Sequence, residues 1–114
     1  MPDVTIHALH AALDGLTDRQ RVISDNIANL ETPQFLAGRV EFESSLARAL
    51  EDGADPLTAT EATRTRSMAA TNPNGNNVGL DTETLDGIDT NLRYQLTTTA
   101  INDKFRLLRT AIGG

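Results

Sequence analysis

The stretch Val4-Thr5-Ile6-His7-Ala8-Leu9-His10-Ala11-Ala12-Leu13-Asp14-Gly15-Leu16, continuing through Gln20, Ile23 and Ile27 to Leu30, decides the fold. Positions Ile6, Leu9, Leu13, Leu16, Gln20, Ile23, Ile27 and Leu30 alternate steps of three and four. Seven of these eight are Ile or Leu, where composition alone supplies about three apolar residues. That spacing is the seam of a helix packed lengthwise on another helix. At 1.5 Å per residue the helix runs roughly 40 Å. Asp3 or Thr5 is the expected N-cap, and Pro33 the expected stop, because the residue before proline is pushed out of α geometry. Gln20, the one polar seam position, is expected to fix register.

Residues 80–112 predict a second long helix. Asp81, the expected N-cap, stands with Glu83, Asp86 and Asp89 at its start, and Lys104, Arg106 and Arg109 lie near its end. This polarity complements the helix macrodipole. Gly113-Gly114 follows where a helix stops. Its apolar residues fall on two lines. Leu85, Ile88, Leu92 and Leu96 form one, and Ile101, Phe105, Leu108 and Ile112 the other, about 160° apart around the helix. A lone two-helix hairpin does not need two lines, so the C-terminal half is expected to touch more than one partner. Gly87 and Thr97-Thr98-Thr99 lower intrinsic propensity, so this helix depends on packing.

The fold class that follows is mostly α. Long N- and C-terminal helices pair as an antiparallel coiled-coil-like hairpin, with a partly extended or disordered middle. The expected units are 1–32, an N-terminal helix; 33–79, an extended, short-helix and loop segment; and 80–114, a C-terminal helix. Within the middle, 33–38 reads as extended, and Phe42, Leu46 and Leu50 give a short helical pattern. Residues 51–79 read as loop, with Asn74-Gly75 as a turn able to close a small hairpin. A structureless run of that length argues against a compact monomer.

Composition narrows the function. The chain has 114 residues, 39% hydrophobic and 4% aromatic, with no Trp. It can bury one modest core, and a deep ligand pocket is not expected. A net charge of −6 disfavours nucleic-acid backbones and anionic lipid surfaces. No cysteine is present, which removes disulfides, thiolate metal sites and cysteine nucleophiles. No apolar run reaches membrane-helix length, and Met1-Pro2-Asp3 carries no readable secretory signal.

Chemistry-bearing patterns are weak. His7 and His10 are three apart on a helix, but no carboxylate completes a metal site, so they read as solvated or packing residues. Asp81 to Gly87 imitates a calcium loop and fails, with Leu85 at its fifth position and Leu92 at its twelfth. Arg64 and Arg66 read as a basic spot in a solvated loop. No catalytic residue, cofactor or metal is expected. One segment stands out: Ser24-Asp25-Asn26-Ile27-Ala28-Asn29-Leu30-Glu31-Thr32-Pro33-Gln34-Phe35. Asn26 and Asn29 sit one turn apart at a helix end. Their amides could satisfy the free carbonyls there and fix how the chain leaves; an ordinary polar helix end is the alternative.

The motif Asn26-Ile27-Ala28-Asn29-x-x-Thr32-Pro33-x-Phe35 resembles the N-terminal signature of bacterial flagellar rod and hook proteins. Ala37-x-x-Val40-x-Phe42-Glu43, Asn74-Gly75-Asn76-Asn77-Val78-x-Leu80-Asp81-x-Glu83, Asn91-Leu92-x-Tyr94-Gln95 and Leu107-Leu108-Arg109-Thr110-Ala111-Ile112 are similar to the proximal rod type, the FlgB family. Residues 44–72 carry no match. Gln34-Phe35 replaces the family's usual Gly-Tyr, which removes an easy left-handed position from that turn.

The resemblance implies a non-enzymatic subunit that polymerises into the drive shaft of the basal body, transmits torque and encloses the export channel. It implies as partners other copies of itself, other rod subunits, membrane-ring/rod junction proteins and the flagellar type III export apparatus, without nucleic acid or small-molecule substrate. The implied location is the periplasm or cell-wall layer, reached without a cleaved signal peptide. Ile6, Leu9, Leu13, Leu16, Ile23, Ile27 and Leu30 are expected to pair with Leu85, Ile88, Leu92, Leu96, Phe105 and Leu108. Two rivals stand beside this reading. A secreted helical hairpin of the type VII class shares the length and acidity but has a Trp-x-Gly turn missing here. An all-α enzyme of the chorismate mutase kind would need Arg19, Arg21, Arg93 and Arg106 to converge.

Overall fold

The computed structural model describes residues 4–113. Six elements follow in order: α1 (Val4–Ala28), β1 (Gly38–Glu41), α2 (Glu43–Glu51), α3 (Pro56–Ala59), β2 (Thr63–Arg66) and α4 (Leu80–Gly113). Helices α1 and α4 pack along each other, and the short elements cover one side of α1. The described chain is elongated, 64 × 26 × 14 Å. With 34 residues, α4 is about 50 Å long and sets the long axis.

The seam of α1 buries Leu16 and Ile23 and half-buries Ile6, Leu9, Leu13 and Leu30, while Ile27 is exposed. The buried polar residue of this helix is Asn26, not Gln20. Thr5 lies within the helix and so is not its cap, and Asp3 lies outside the described residues. Helix α1 also ends before Pro33. After Ala28 the chain tightens into three-residue turns, with Leu30 N donating to Ile27 O and Thr32 N to Asn29 O. At α4, Gly79 rather than Asp81 precedes the helix: Glu83 N donates to Gly79 O at 2.9 Å, and Asp81 sits inside the first turn. The α4 threonines turn their hydroxyls inward to the helix, Thr97 to Arg93 O and Thr98 to Tyr94 O, which offsets part of their poor propensity.

Within 51–79, where a loop was expected, α3 and β2 form, while 67–79 carry no helix or strand. Strand β2 pairs antiparallel with β1, with Gly38 opposite Arg66 and Glu41 opposite Thr63. Helix α3 starts on Asp55, whose carboxylate accepts from Leu57 N at 3.0 Å, with Pro56 in the first turn. The hydrophobic core is small: Leu16, Val40 and Phe42, flanked by Ala12, Val22, Leu46 and Tyr94. Around Asn74-Gly75 a turn closes, Asn72 N donating to Asn76 O at 2.8 Å, but no strands flank it.

The α1–α4 pairing corrects the expected one. Leu85, Ile88, Leu92 and Leu96 are 67, 63, 55 and 61% exposed. On α4 the residues buried instead are Glu83, Thr90 and Ile101, with Gly87 against Ile23 and Tyr94 against the core. Of the second apolar line, Ile101 is buried, Phe105 and Leu108 are 44 and 37% exposed, and Ile112 is largely exposed. Thus α1 takes a narrow seam of small and polar groups, and the long Leu/Ile stripe of α4 faces outward.

Candidate assembly joint and apolar stripe

Asn26 and Glu83 lock α1 to the start of α4, and Asn29, Asn76 and Asn77 fasten the chain segments beside them. Asn26 is fully buried. Its Nδ2 donates to Gly38 O at 3.0 Å and to Glu83 Oε2 at 3.1 Å, and its Oδ1 accepts from Gly38 N at 2.8 Å. The amide thus pairs with Gly38 as a neighbouring strand would. Gly38 allows this approach: a Cβ there would meet Val22 Cγ1 at 2.8 Å. Glu83, also fully buried, takes Arg39 Nη1 on its Oε1 at 2.9 Å. Every oxygen of this buried carboxylate is occupied, as burial of a charge requires.

The second half of the joint is Asn76-Asn77. Asn76 Nδ2 donates to Asn29 O at 2.9 Å and Thr32 O at 2.7 Å, while its Oδ1 accepts from Val78 N. It therefore caps carbonyls just beyond α1 from 44 residues away in the chain. Asn77 Oδ1 accepts from Ala37 N at 2.7 Å, and its Nδ2 donates to Ser67 O at 2.9 Å. Asn29 caps locally, donating to Asp25 O at 2.8 Å, and Thr32 Oγ1 donates to Asn29 Oδ1. So Asn29 does the helix-end work expected of both motif asparagines, and Asn26 does not; it reaches across to Gly38 and Glu83. Gln34 adopts φ 62, the left-handed region, and its N–H donates to Asn74 O. Its backbone therefore occupies the conformation that glycine supplies more readily.

The remaining motif residues sit at the rim. Ile27, Ala28, Thr32 and Pro33 are exposed, and Phe35 is half-buried beneath the Arg66 guanidinium, 5.4 Å from its ring centre. Arg64 and Arg66 are thus not a solvated loop: Arg64 pairs with Asp18 at 2.7 Å, and Arg66 donates to Leu36 O at 3.0 Å. His7 lies 2.7 Å from Asp55 Oδ1, and that contact holds the Asp55 carboxyl below its ordinary pKa.

A second lock joins α1 to β1 and α2. Arg19 Nη1 and Nη2 each donate to Glu43 at 2.7 Å, Nη2 also donates to Val40 O, and the guanidinium stacks 5.0 Å from the Phe42 ring centre. The Arg19 hydrogen bonds hold the Glu43 carboxyl at about 2, below its ordinary 4.5. A depressed carboxylate contributes stability above its unfolded pKa and loses it as pH falls toward the folded value. The contribution of this pair is therefore complete above about pH 4.5 and disappears on acidification toward pH 2. Thermal melts across that window are expected to fall less steeply for Glu43→Gln than for the parent chain. Equal slopes would remove Glu43 as a source of acid sensitivity. Arg93 lies near Glu43 and bonds Asp89, while Arg106 pairs with Asp103. The four arginines considered for an enzyme site do not share one.

No family model matches the chain. It is 31% identical over 121 aligned positions to the flagellar basal body rod protein FlgB of Bacillus subtilis strain 168, covering 96% of this chain and 94% of that protein. It is 34% identical over 109 positions to the FlgB of Borreliella burgdorferi, covering 78% and 81%. The chain belongs to the FlgB family of flagellar basal body rod proteins. The FlgB of Escherichia coli K12 is 28% identical over 123 positions, covering 91% and 89%. Among the described residues, two of the segments that resemble the family, 26–35 and 74–83, are the two sides of one hydrogen-bonded joint. Sequence reading found both segments but missed that they meet. The signal was present: asparagines are costly inside packed chains unless every amide group is matched.

Proposed function

We propose that this chain is a non-enzymatic structural subunit of the proximal rod, polymerising into the shaft that carries torque and surrounds the export channel. The observation that carries this reading is the outward stripe Leu85, Ile88, Leu92 and Leu96, each more than half exposed in the subunit. A contiguous apolar stripe on a soluble surface marks a protein contact. The family membership supplies the setting. On this reading the partners are other copies of the chain, other rod subunits, ring–rod junction proteins and the type III export apparatus, and the site of action lies outside the cytoplasmic membrane. No helix among the described residues is long and apolar enough to cross a membrane. Nothing in the comparisons favours the secreted-hairpin rival.

An in-frame deletion complemented with Leu92→Asp tests the proposal. Deletion is expected to leave basal bodies with membrane rings and no rod. Leu92 faces solvent, so the substituted chain is expected to fold, with unchanged circular dichroism, and to fail in restoring motility. Full motility with Leu92→Asp would discard the stripe as the assembly surface. Intact rotating flagella in the deletion strain would discard the rod role. Ile23→Asp is less informative, because Ile23 is buried in the subunit's own seam and an aspartate there unfolds the chain.

A further inference from the structure

We propose that α4 joins copies of this chain head to tail, with Phe105, Leu108 and Ile112 of one copy seated on Leu85, Ile88 and Leu92 of the next. This rests on the rod-subunit reading and specifies the contact that the exposed stripe makes.

Three observations point to this occupant. Both apolar runs step three and then four residues, and they are offset by 20 residues. Read in the same direction they align layer on layer: 85 with 105, 88 with 108, 92 with 112. Read in opposite directions, a step of three meets a step of four. The aligned arrangement is a parallel pair of α4 helices shifted by about 30 Å along the axis. The receiving run is more than half exposed at each residue, and the inserting run keeps surface free at each of its residues. Phe105, Leu108 and Ile112 are 44, 37 and 86% exposed, beyond Ile101, where the buried seam of α4 ends.

Charge is the third observation. The half of α4 that would receive carries Asp81, Asp86 and Asp89 against Arg93, and the half that would insert carries Lys104, Arg106 and Arg109 against Asp103, so each half keeps a net charge of opposite sign. The shifted parallel pair sets basic against acidic, whereas an unshifted parallel pair sets like against like. Such complementarity fixes register and excludes wrong alignments.

Closure of the assembly follows from where the runs lie. An offset of 20 residues places them about 160° apart around the helix. A single neighbouring helix cannot engage both. Each copy must insert into one neighbour and receive another, and contacts of that kind generate an open chain rather than a closed dimer.

The chain contains no cysteine, so paired cysteines report the contact without background. In basal bodies from cells whose only copy carries Ile88→Cys and Leu108→Cys, mild oxidation is expected to give a covalent ladder of two, three and more copies. Either substitution alone is expected to leave monomer. Leu85→Cys with Phe105→Cys probes the same register one layer away. If the double variants block assembly, oxidation of the purified, concentrated chains gives the same ladder-or-monomer readout. A dimer formed by Ile88→Cys alone would mean that the stripes meet face to face and would overturn the proposal. Absence of a ladder from both pairs would overturn it as well, while leaving the rod role intact. A rod that assembles without the chain removes the rod role itself.

Discussion

Replacing Glu83 with alanine is expected to destabilise the isolated subunit by about 3–5 kcal/mol, the cost of breaking a buried charged pair from one side. Three losses combine. Arg39 keeps a guanidinium that is only 31% exposed and loses its carboxylate partner. Asn26 Nδ2, fully buried, loses one of its two acceptors. The space of the side chain is left open, because Glu83 is among the largest fully buried groups. A domain of this size has a total stability of about 5–15 kcal/mol, so the variant is expected to melt roughly 15 °C lower. Glu83→Gln keeps the shape and an oxygen acceptor, so it is expected to lose about half as much. Melting curves followed by circular dichroism give the comparison. A loss under about 1 kcal/mol for Glu83→Ala would show that the joint does not hold α4 on α1.

The second large effect reverses an ordinary rule. Gly→Ala inside an exposed helix usually stabilises by about 1 kcal/mol. Gly15 lies in α1 and is buried, and a Cβ there would overlap Cγ and Cδ1 of the Phe42 ring. The ring lies directly on the helix backbone, and it is a central member of the core with Leu16 and Val40. Gly15→Ala must displace it, together with the Arg19 guanidinium stacked on it. Overpacking of this kind costs about 1–3 kcal/mol, and Phe42→Ala alone about 3–5 kcal/mol. In the double variant the added methyl enters the space the ring vacates. The two losses are therefore expected to be strongly non-additive, with Gly15→Ala neutral or stabilising once Phe42 is alanine. Additive losses in denaturant unfolding would mean that ring and glycine are not in contact.

Both predictions concern positions whose importance the linear pattern hides. Gly15 lies off the Ile/Leu seam and draws no reading from it, and Glu83 reads as one of several acids favouring a helix start. What was legible is substantial. The three-four alternation of Ile and Leu from Ile6 to Leu30 gave α1, and the charge polarity of 80–112 gave α4. Phe42, Leu46 and Leu50 gave α2. The segments at 26–35, 37–43, 74–83, 91–95 and 107–112 together pointed to the family. Strand β2 was not legible, because Thr63-Arg64-Thr65-Arg66 is exposed throughout and has no apolar period. Its pairing with β1 is made by backbone hydrogen bonds, and those leave no trace in side-chain hydropathy.

The sequence by itself determined that the two long segments and the one begun by Phe42, Leu46 and Leu50 are helical, which residues are apolar enough to be buried somewhere, and which family the chain resembles. Those properties are local or additive: periodicity, composition and short motifs. Only the tertiary structure decided which face of α4 meets α1. Hydropathy marks Leu85, Ile88, Leu92 and Leu96 as the stripe to bury, yet α1 takes Glu83, Gly87, Thr90 and Ile101. The reason is geometric. Asn26, Gly38 and Arg39 fix Glu83 at the start of α4 through hydrogen bonds that span up to 57 residues, and this anchor sets the rotation of the whole helix. A buried, fully paired polar group overrides the hydrophobic stripe in setting that rotation, and so leaves the stripe facing outward.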